Sequence, residues 1–151
     1  MANNFADLFE HAVDAMPDRV AIIQDGQRVT YRELEDRANR LAHHLASTGV
    51  GRGTHVGFQM HNGIETVQTL LACFKLAAVP VNINYRYGPE ELAYLYDNAD
   101  LEHLVYHACY GDAVRAARQR RLRPKYLLCA ADDTTPADPG VDCLTEVTAA
   151  A

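Results

Sequence analysis

Residues 62–86, NGIETVQTLLACFKLAAVPVNINYR, predict a helix that runs directly into a buried strand. Asn62 is expected to cap the helix, because an asparagine side chain can accept a hydrogen bond from a free backbone N–H of the first turn. Apolar residues then recur at helical spacing, namely Ile64, Val67, Leu71 and Phe74. The strand is indicated by alternation of Val79, Val81 and Ile83 with asparagine and proline, and Pro80 lies near its start, where strands tolerate proline.

The sequence before this segment predicts two helices, a hairpin and a strand. Asp25-Gly26 is a strong hairpin turn, so the residues on either side of it are expected to pair. Thr30 and Glu33 have the spacing of a capping box, and Gly49 is well placed to end the helix that they begin. The expected ranges are 4–16 for the first helix, 20–24 and 27–30 for the hairpin, and 56–60 for the strand.

The sequence after this segment repeats the alternation of helix and strand. Helices are expected from Pro89 and over 112–121, strands over 104–107 and 126–129, and a short helix from Leu144. This alternation predicts an α/β fold with a largely parallel sheet flanked by helices and an N-terminal β-hairpin at the edge of that sheet. Residues 1–129 are expected to form the domain, and 130–151 to be a linker-like segment, since 130–142 are rich in Asp, Thr, Pro and Gly without periodicity.

Composition limits the classes of protein to consider. Hydrophobic residues make up 48% of the 151-residue chain and charged residues 23%, as in ordinary globular domains. The net charge of -6 argues against a general nucleic-acid-binding protein, which needs a cationic surface. Four scattered cysteines and the absence of a signal-peptide pattern favour reduced thiols in the cytoplasm. No apolar run is long enough to predict a transmembrane segment.

Four short motifs follow one another along the chain, namely Pro-Asp-Arg-x-Ala-Ile at 17–22, Thr-Tyr-x-Glu-Leu at 30–34, Gly-Val-x-x-Gly at 49–53, and Lys-x-Ala-Ala-Val-Pro-Val-Asn-Ile-Asn-Tyr-Arg at 75–86. Taken in order, they resemble the N-terminal domain of the AMP-forming acyl-CoA synthetases, in particular the fatty-acyl ligases of this adenylate-forming superfamily. Two departures are visible, because Thr54 stands where the family usually has aspartate and Ala77 where it commonly has glycine. Both are interpreted as structural variation.

The resemblance implies a parent enzyme that activates a carboxylic acid, with a fatty acid favoured, using ATP and Mg²⁺, and then transfers the acyl group to CoA. The family's Ser/Thr/Gly-rich loop ending in Pro-Lys-Gly is not found in these residues, since the one serine, Ser47, lies in a helical pattern. The chain is therefore interpreted as an N-terminal fragment that is inactive alone, has no catalytic residue and binds none of these cofactors tightly. The acid and CoA would bind through the missing remainder.

Arg86 is the strongest candidate binding residue. It follows the strand that ends at Ile83, and ligands of parallel sheets bind at strand ends. The resemblance implies that an arginine in this Asn-x-Arg position contacts the phosphates of CoA. The alternative is an arginine that caps carbonyl groups or pairs with Glu90 or Glu91.

Three other patterns favour structural interpretations. Gly49–Gly53 follows a helix and leads to a strand, so a capping turn is favoured over a phosphate loop. Residues 115–125 contain six of the 14 cations, and a solvated helix end balanced by Asp132 and Asp133 is favoured over a nucleic-acid or CoA-phosphate patch. The seven histidines show no metal-site spacing, so no metal ligand is assigned and all are interpreted as structural or exposed.

A second hypothesis belongs to a different class of protein. The chain could be a stand-alone α/β interaction or dimerisation module without catalysis, and a homodimer fits either hypothesis. A small nucleotide-binding protein is disfavoured because no phosphate-binding loop is found.

Overall fold

The computed structural model describes residues 4–149. Its helices are α1 Phe5–Ala15, α2 Tyr31–Ser47, α3 Ile64–Lys75, α4 Pro89–Asn98, α5 Gly111–Arg121 and α6 Leu144–Thr148, with a 3₁₀ turn at Ala108–Tyr110. Its strands are β1 Val20–Gln24, β2 Gln27–Thr30, β3 His55–Gln59, β4 Val79–Asn82, β5 His103–His107, β6 Tyr126–Ala130 and β7 Asp142–Cys143.

A five-stranded parallel sheet in the order β4-β3-β5-β6-β7 forms the middle layer. Helices α2, α3 and α6 pack on one face, in a core that contains Val56, Val105 and Leu128. Helices α4 and α5 pack on the other face against Leu104 and Tyr106. Neighbouring residues of β5 therefore point to opposite cores, as the two-residue period of a strand requires. The expected α/β fold with a parallel sheet flanked by helices is confirmed.

The N-terminal hairpin is confirmed, but its expected place at the edge of the parallel sheet is wrong. β1 and β2 form a separate two-stranded antiparallel sheet. The physical reason is that the apolar side of the hairpin is covered by helices, since Val29 is buried with Leu34 and Ala38 of α2 and Ile64 and Leu71 of α3. The hairpin thus packs on the helical layer.

The expected cap of α3 is also wrong. Gly63 is the N-cap residue, and the exposed Asn62 makes no capping bond there. Instead, Oε1 of Gln24 accepts the hydrogen bond of the Ile64 N–H at 2.7 Å. Gln24 ends β1, so a long side chain from the hairpin replaces the local cap and fastens the hairpin to α3.

The capping signals at both ends of α2 are confirmed. Thr30 Oγ1 accepts from the Glu33 N–H at 3.2 Å, and Glu33 accepts from the Thr30 N–H at 2.8 Å. At the other end, Gly49 has a φ of 99° and the Val50 N–H bonds to the Leu45 carbonyl at 3.1 Å. This bond requires a residue in the left-handed conformation after the helix, and glycine adopts that conformation without steric strain.

The segment after β6 returns to the sheet. Residues 131–141 form no helix or strand, as their composition predicted, but β7 pairs in parallel with β6. The short helix expected from Leu144 is confirmed as α6, and Leu144 lies in the core with 1% exposure. The division at residue 129 stays a prediction, while residues 142–148 pack on the domain.

Candidate functional site

The sheet has a topological switch point between β3 and β5. From β3 the chain passes through α3 to β4 on one side, and then through α4 to β5 on the other side of β3. Because α3 and α4 lie on opposite faces, a crevice opens beyond the carboxyl ends of β3 and β5, where open α/β sheets bind ligands. We call this side of the sheet, where the strands end, its carboxyl edge, and it is the candidate functional site.

Four aromatic rings meet at this edge, and they come from the ends of three neighbouring strands, β3, β4 and β5. The ring of His61, after β3, lies 5.4 Å from that of His107 at the end of β5. It also lies 5.6 Å from Tyr85 and 5.3 Å from Tyr110. The rings of Tyr85 and Tyr110 are stacked at 5.8 Å. Partly exposed aromatic faces in such an arrangement can hold a flat or apolar ligand group.

His107 fixes the loop that carries His61. Its Nδ1 accepts the hydrogen bond of the His61 backbone N–H at 2.9 Å, so that nitrogen carries no proton. Its Nε2 lies 3.9 Å from Oε2 of Glu65, a polar contact that is longer than a hydrogen bond. The nearby imidazole of His107 lowers the pKa of Glu65, against the opposing effect of burial. The chain Glu65–His107–His61 therefore joins the start of α3 to the ends of β5 and β3.

The Tyr110 hydroxyl and the Cys109 thiol at this edge keep their protons near neutral pH. Burial raises the pKa of Tyr110 to about 12, and its hydroxyl lies 3.0 Å from a ring nitrogen of His61. Burial and the neighbouring Asp132 raise the pKa of the Cys109 thiol, so a thiolate nucleophile is disfavoured. This chemistry suits binding and orientation of a ligand better than covalent catalysis.

A groove of about 520 Å³ runs beside these rings. Three of the residues that line it are exposed asparagines, which offer amide donors and acceptors at the ends of β3 and β4. Apolar and aromatic groups form the rest of its surface. The lining comprises Met60, His61, Asn62, Asn82, Ile83, Asn84, Tyr85, Tyr87 and Leu95.

Arg86 lies at this edge, as expected from its place after β4. It is exposed, its backbone N–H bonds to Oδ1 of Asn84 at 2.9 Å, and its guanidinium carbon lies 5.6 Å from the centre of the Tyr85 ring. The alternative pairing with Glu90 or Glu91 is not found among residues 4–149. Glu90 instead pairs with Arg120 at 3.3 Å, and Glu91 accepts from the Gly88 N–H at 2.8 Å. A contact of Arg86 with CoA stays a prediction.

The basic run, residues 115–125, is balanced by acidic side chains, but the expected partners Asp132 and Asp133 are wrong. Asp132 accepts from the backbone of Cys109, Thr134 and Thr135, so it organises its own loop. The arginines pair mainly with α4 and the turn after it, because α5 packs beside α4. The ion pairs are Arg115 with Asp112 and Asp138, Arg120 with Glu90, Arg121 with Asp97, and Arg123 with Asp100 and Glu102.

Interpretation of the sequence missed the ring cluster. His61 and Tyr110 are distant in sequence, and neither lies in a motif. Their position directly after two buried strands was the signal that could have identified them, since the ends of parallel strands share one edge. Within residues 4–149, no three His, Cys, Asp or Glu side chains lie close enough together to hold a metal ion. No helix in that range has the length and apolar character needed to cross a membrane.

The fold and this edge define an α/β domain with a ligand crevice at the carboxyl ends of its strands, and comparison with known families assigns it. The profile of the AMP-binding enzyme family matches residues 9–143, so the chain belongs to that family. Two solved structures share the fold. An anthranilate CoA ligase in complex with anthranoyl-AMP superposes with a TM-score of 0.88 at 20% identity, over 97% of this chain and 28% of that one. A benzoate CoA ligase from Burkholderia xenovorans gives 0.82 at 20% identity, with the same coverage.

Curated relatives are more similar in sequence. A 3-oxocholest-4-en-26-oate–CoA ligase of Rhodococcus rhodochrous is 50% identical over 114 residues, which is 76% of this chain and 20% of the relative. A medium/long-chain-fatty-acid–CoA/3-oxocholest-4-en-26-oate–CoA ligase of Mycobacterium marinum is also 50% identical over 114 residues, covering 76% of this chain and 21% of the relative. The chain thus spans about a fifth of the length of these relatives.

Proposed function

We propose that this chain is the N-terminal part of an AMP-forming acyl-CoA synthetase for a hydrophobic carboxylic acid, a fatty acid or a steroid side-chain acid. The observation that carries the proposal is 50% identity to ligases named for those acids. The parent would join the acid to AMP from ATP, release pyrophosphate, and transfer the acyl group to the CoA thiol. ATP and CoA are cytoplasmic metabolites, which supports a cytoplasmic site of action.

Within this reaction, the chain's own residues would bind CoA at the carboxyl edge of the sheet. The guanidinium of Arg86 is exposed and has no carboxylate within ion-pair distance in residues 4–149, so it is available to a phosphate of CoA. His61 and Tyr85 would form the adjoining wall. The described residues offer no acidic cluster that fits Mg²⁺, so we assign no Mg²⁺ site to this part of the chain.

Calorimetric titration of the 151-residue chain with CoA and with ATP·Mg²⁺ tests the binding assignment. We expect weak binding of CoA, loss of that binding in Arg86→Ala, and no binding of ATP, because the chain lacks a Ser/Thr/Gly-rich phosphate loop. Arg52→Ala is the matched control, since Arg52 is an exposed arginine in the turn before β3, at the opposite edge. Equal loss in both variants, or tight ATP binding, would contradict the assignment.

The reaction itself is tested by an assay for AMP and acyl-CoA with medium-chain, long-chain and steroid side-chain acids. We expect AMP and acyl-CoA from the longer parent enzyme and neither of them from the 151-residue chain. Acyl-adenylate formed by the chain alone would show that a complete ATP site lies within it. A homodimer stays a prediction, which light scattering on the same samples tests.

A further inference from the structure

A second cavity lies at the opposite edge of the sheet from the candidate CoA site. It has a volume of about 250 Å³ and opens at the amino ends of β5 and β6, beside the end of α2 and the residues that precede β7. The polar side chains that line it include His44, Thr48, His103, Arg118, Lys125, Tyr126 and Asp142. Nothing in the proposed acyl-CoA reaction uses this edge.

Two basic side chains of the run have no carboxylate partner in the described residues, and both of them line this cavity. Four of the six basic residues in 115–125 pair with acidic side chains, and the two that do not, within residues 4–149, are Arg118 and Lys125. Both line the cavity. Arg118 Nε donates to the Pro124 carbonyl at 2.8 Å, and Lys125 Nζ lies 5.2 Å from the centre of the Tyr126 ring.

His103 lines the cavity and carries a buried ring nitrogen without a hydrogen-bond partner in the described residues. It is 5% exposed, and its ring stacks on that of Tyr126 at 4.8 Å. Its Nε2 lies 3.1 Å from the Thr48 carbonyl oxygen, which can only accept, so Nε2 carries the proton. Burial lowers the pKa of His103, which keeps the ring neutral. Its Nδ1 therefore has a lone pair, and this buried atom has no partner in the described residues.

We propose that this cavity is a binding site for a small anion that carries an O–H group, namely hydrogen phosphate or a phosphate monoester. The anionic oxygens would lie against Lys125 and the free guanidinium nitrogens of Arg118, and the O–H would donate to Nδ1 of His103. Asp142 is the one carboxylate in the wall, and it is turned to His44, with 3.6 Å between Oδ2 and Nε2. The site is independent of the acyl-CoA reaction.

Inorganic phosphate, titrated into the 151-residue chain near neutral pH and at constant ionic strength, tests the proposal. The readout is the ¹⁵N chemical shifts of the histidine side chains. We expect saturable shifts of His103, and about tenfold weaker binding of sulfate, which has no O–H to donate at this pH. Lys125→Gln should weaken phosphate binding by about tenfold as well.

Arg120→Gln is the matched control, because Arg120 belongs to the same run but is paired with Glu90 outside the cavity. We expect it to leave phosphate binding unchanged. Equal weakening by Lys125→Gln and Arg120→Gln would show nonspecific charge screening and overturn the site. Unshifted His103 signals at saturating phosphate, or equal affinity for sulfate, would overturn it too. Lys125 is exposed, so its variant should stay folded, as a thermal melt would verify.

Discussion

Ala77 holds a backbone conformation that glycine adopts more easily. It follows α3 with a φ of 53°, in the left-handed region. Two bonds of the helix end fix it there, from the Ala78 N–H to the Cys73 carbonyl at 2.9 Å and from the Ala77 N–H to the Phe74 carbonyl at 3.1 Å. A left-handed conformation costs an L-residue with a Cβ about 1–2 kcal/mol. The departure from glycine noted in the sequence therefore has an energetic consequence.

Ala77→Gly is expected to raise the free energy of unfolding by about 0.5–1 kcal/mol. The gain is the relief of the left-handed strain, less the greater conformational entropy that glycine loses on folding. Urea denaturation measures it. Ala78→Gly is the control, because Ala78 is buried and outside the left-handed region, so it should lower the free energy of unfolding. Destabilisation by both variants would contradict the account.

Glu65 should contribute stability that depends on pH. Its pKa is lowered by the nearby His107, so the folded state favours the ionised form. A depressed pKa adds stability that is complete above the ordinary value of 4.5 and is lost as pH falls through the folded pKa. Glu65→Gln should therefore cost about 1 kcal/mol near neutral pH and progressively less in acid.

The measurement is urea denaturation of the wild type and of Glu65→Gln from about pH 7 down to about pH 3.5, a range that brackets carboxylate titration. Asp133→Asn is the control, as Asp133 is exposed, and its difference from the wild type should stay small throughout. A deficit of Glu65→Gln that is constant with pH would show that charge plays no part.

At the scale of elements, one ammonium group joins three helices. Lys75 Nζ, at the end of α3, lies 2.7 Å from Oε1 of Glu10 in α1 and 2.6 Å from Oε1 of Glu35 in α2. The Lys75 side chain is 8% exposed and that of Glu35 is 15% exposed. Burial alone would lower the pKa of Lys75, but the two carboxylates outweigh it and raise the pKa.

Lys75→Met is expected to lower the free energy of unfolding by about 3 kcal/mol, because it leaves the buried carboxylate of Glu35 without its cation. The double variant Lys75→Met, Glu35→Leu should recover much of this loss, since no buried charge then remains unpaired. Arg32→Met removes an exposed pair with Asp18 and should change stability by less than about 1 kcal/mol. A double variant less stable than Lys75→Met would refute this explanation.

For the whole molecule, the question is whether residues beyond 129 belong to the domain. Leu144 is 1% exposed and packs in the same core as α2, β3 and β6. In addition, Arg40 Nη1 of α2 donates to the Thr148 carbonyl at 3.2 Å. These contacts predict that the C-terminal part of the chain is required for stability.

Leu144→Ala should lower the free energy of unfolding by about 2–4 kcal/mol, the cost of a cavity at a fully buried leucine. Thr145→Ala changes its exposed neighbour and should cost less than about 0.5 kcal/mol. Chemical denaturation of both variants decides the matter. A loss no larger for Leu144→Ala than for Thr145→Ala would show that the segment behaves as a linker.

The candidate site could be predicted only in part. Arg86 was found because it directly follows a strand within a motif. The groups beside it were not, because the bond between the His61 N–H and His107 Nδ1 joins residues 46 apart in the chain. The cavity at the other edge was equally hidden, since which cations of the basic run stay unpaired depends on where α4 lies against α5.

The sequence by itself determined the elements that rest on local chemistry. The periods of apolar residues, the capping box of Thr30 and Glu33, the Asp-Gly turn and the proline at the start of α4 each act within a few residues. Only the tertiary structure decided the strand order, the separate hairpin, the cap that Gln24 gives to α3 and the partners of Lys75. Those depend on burial and ion pairing between distant residues, which no local pattern records.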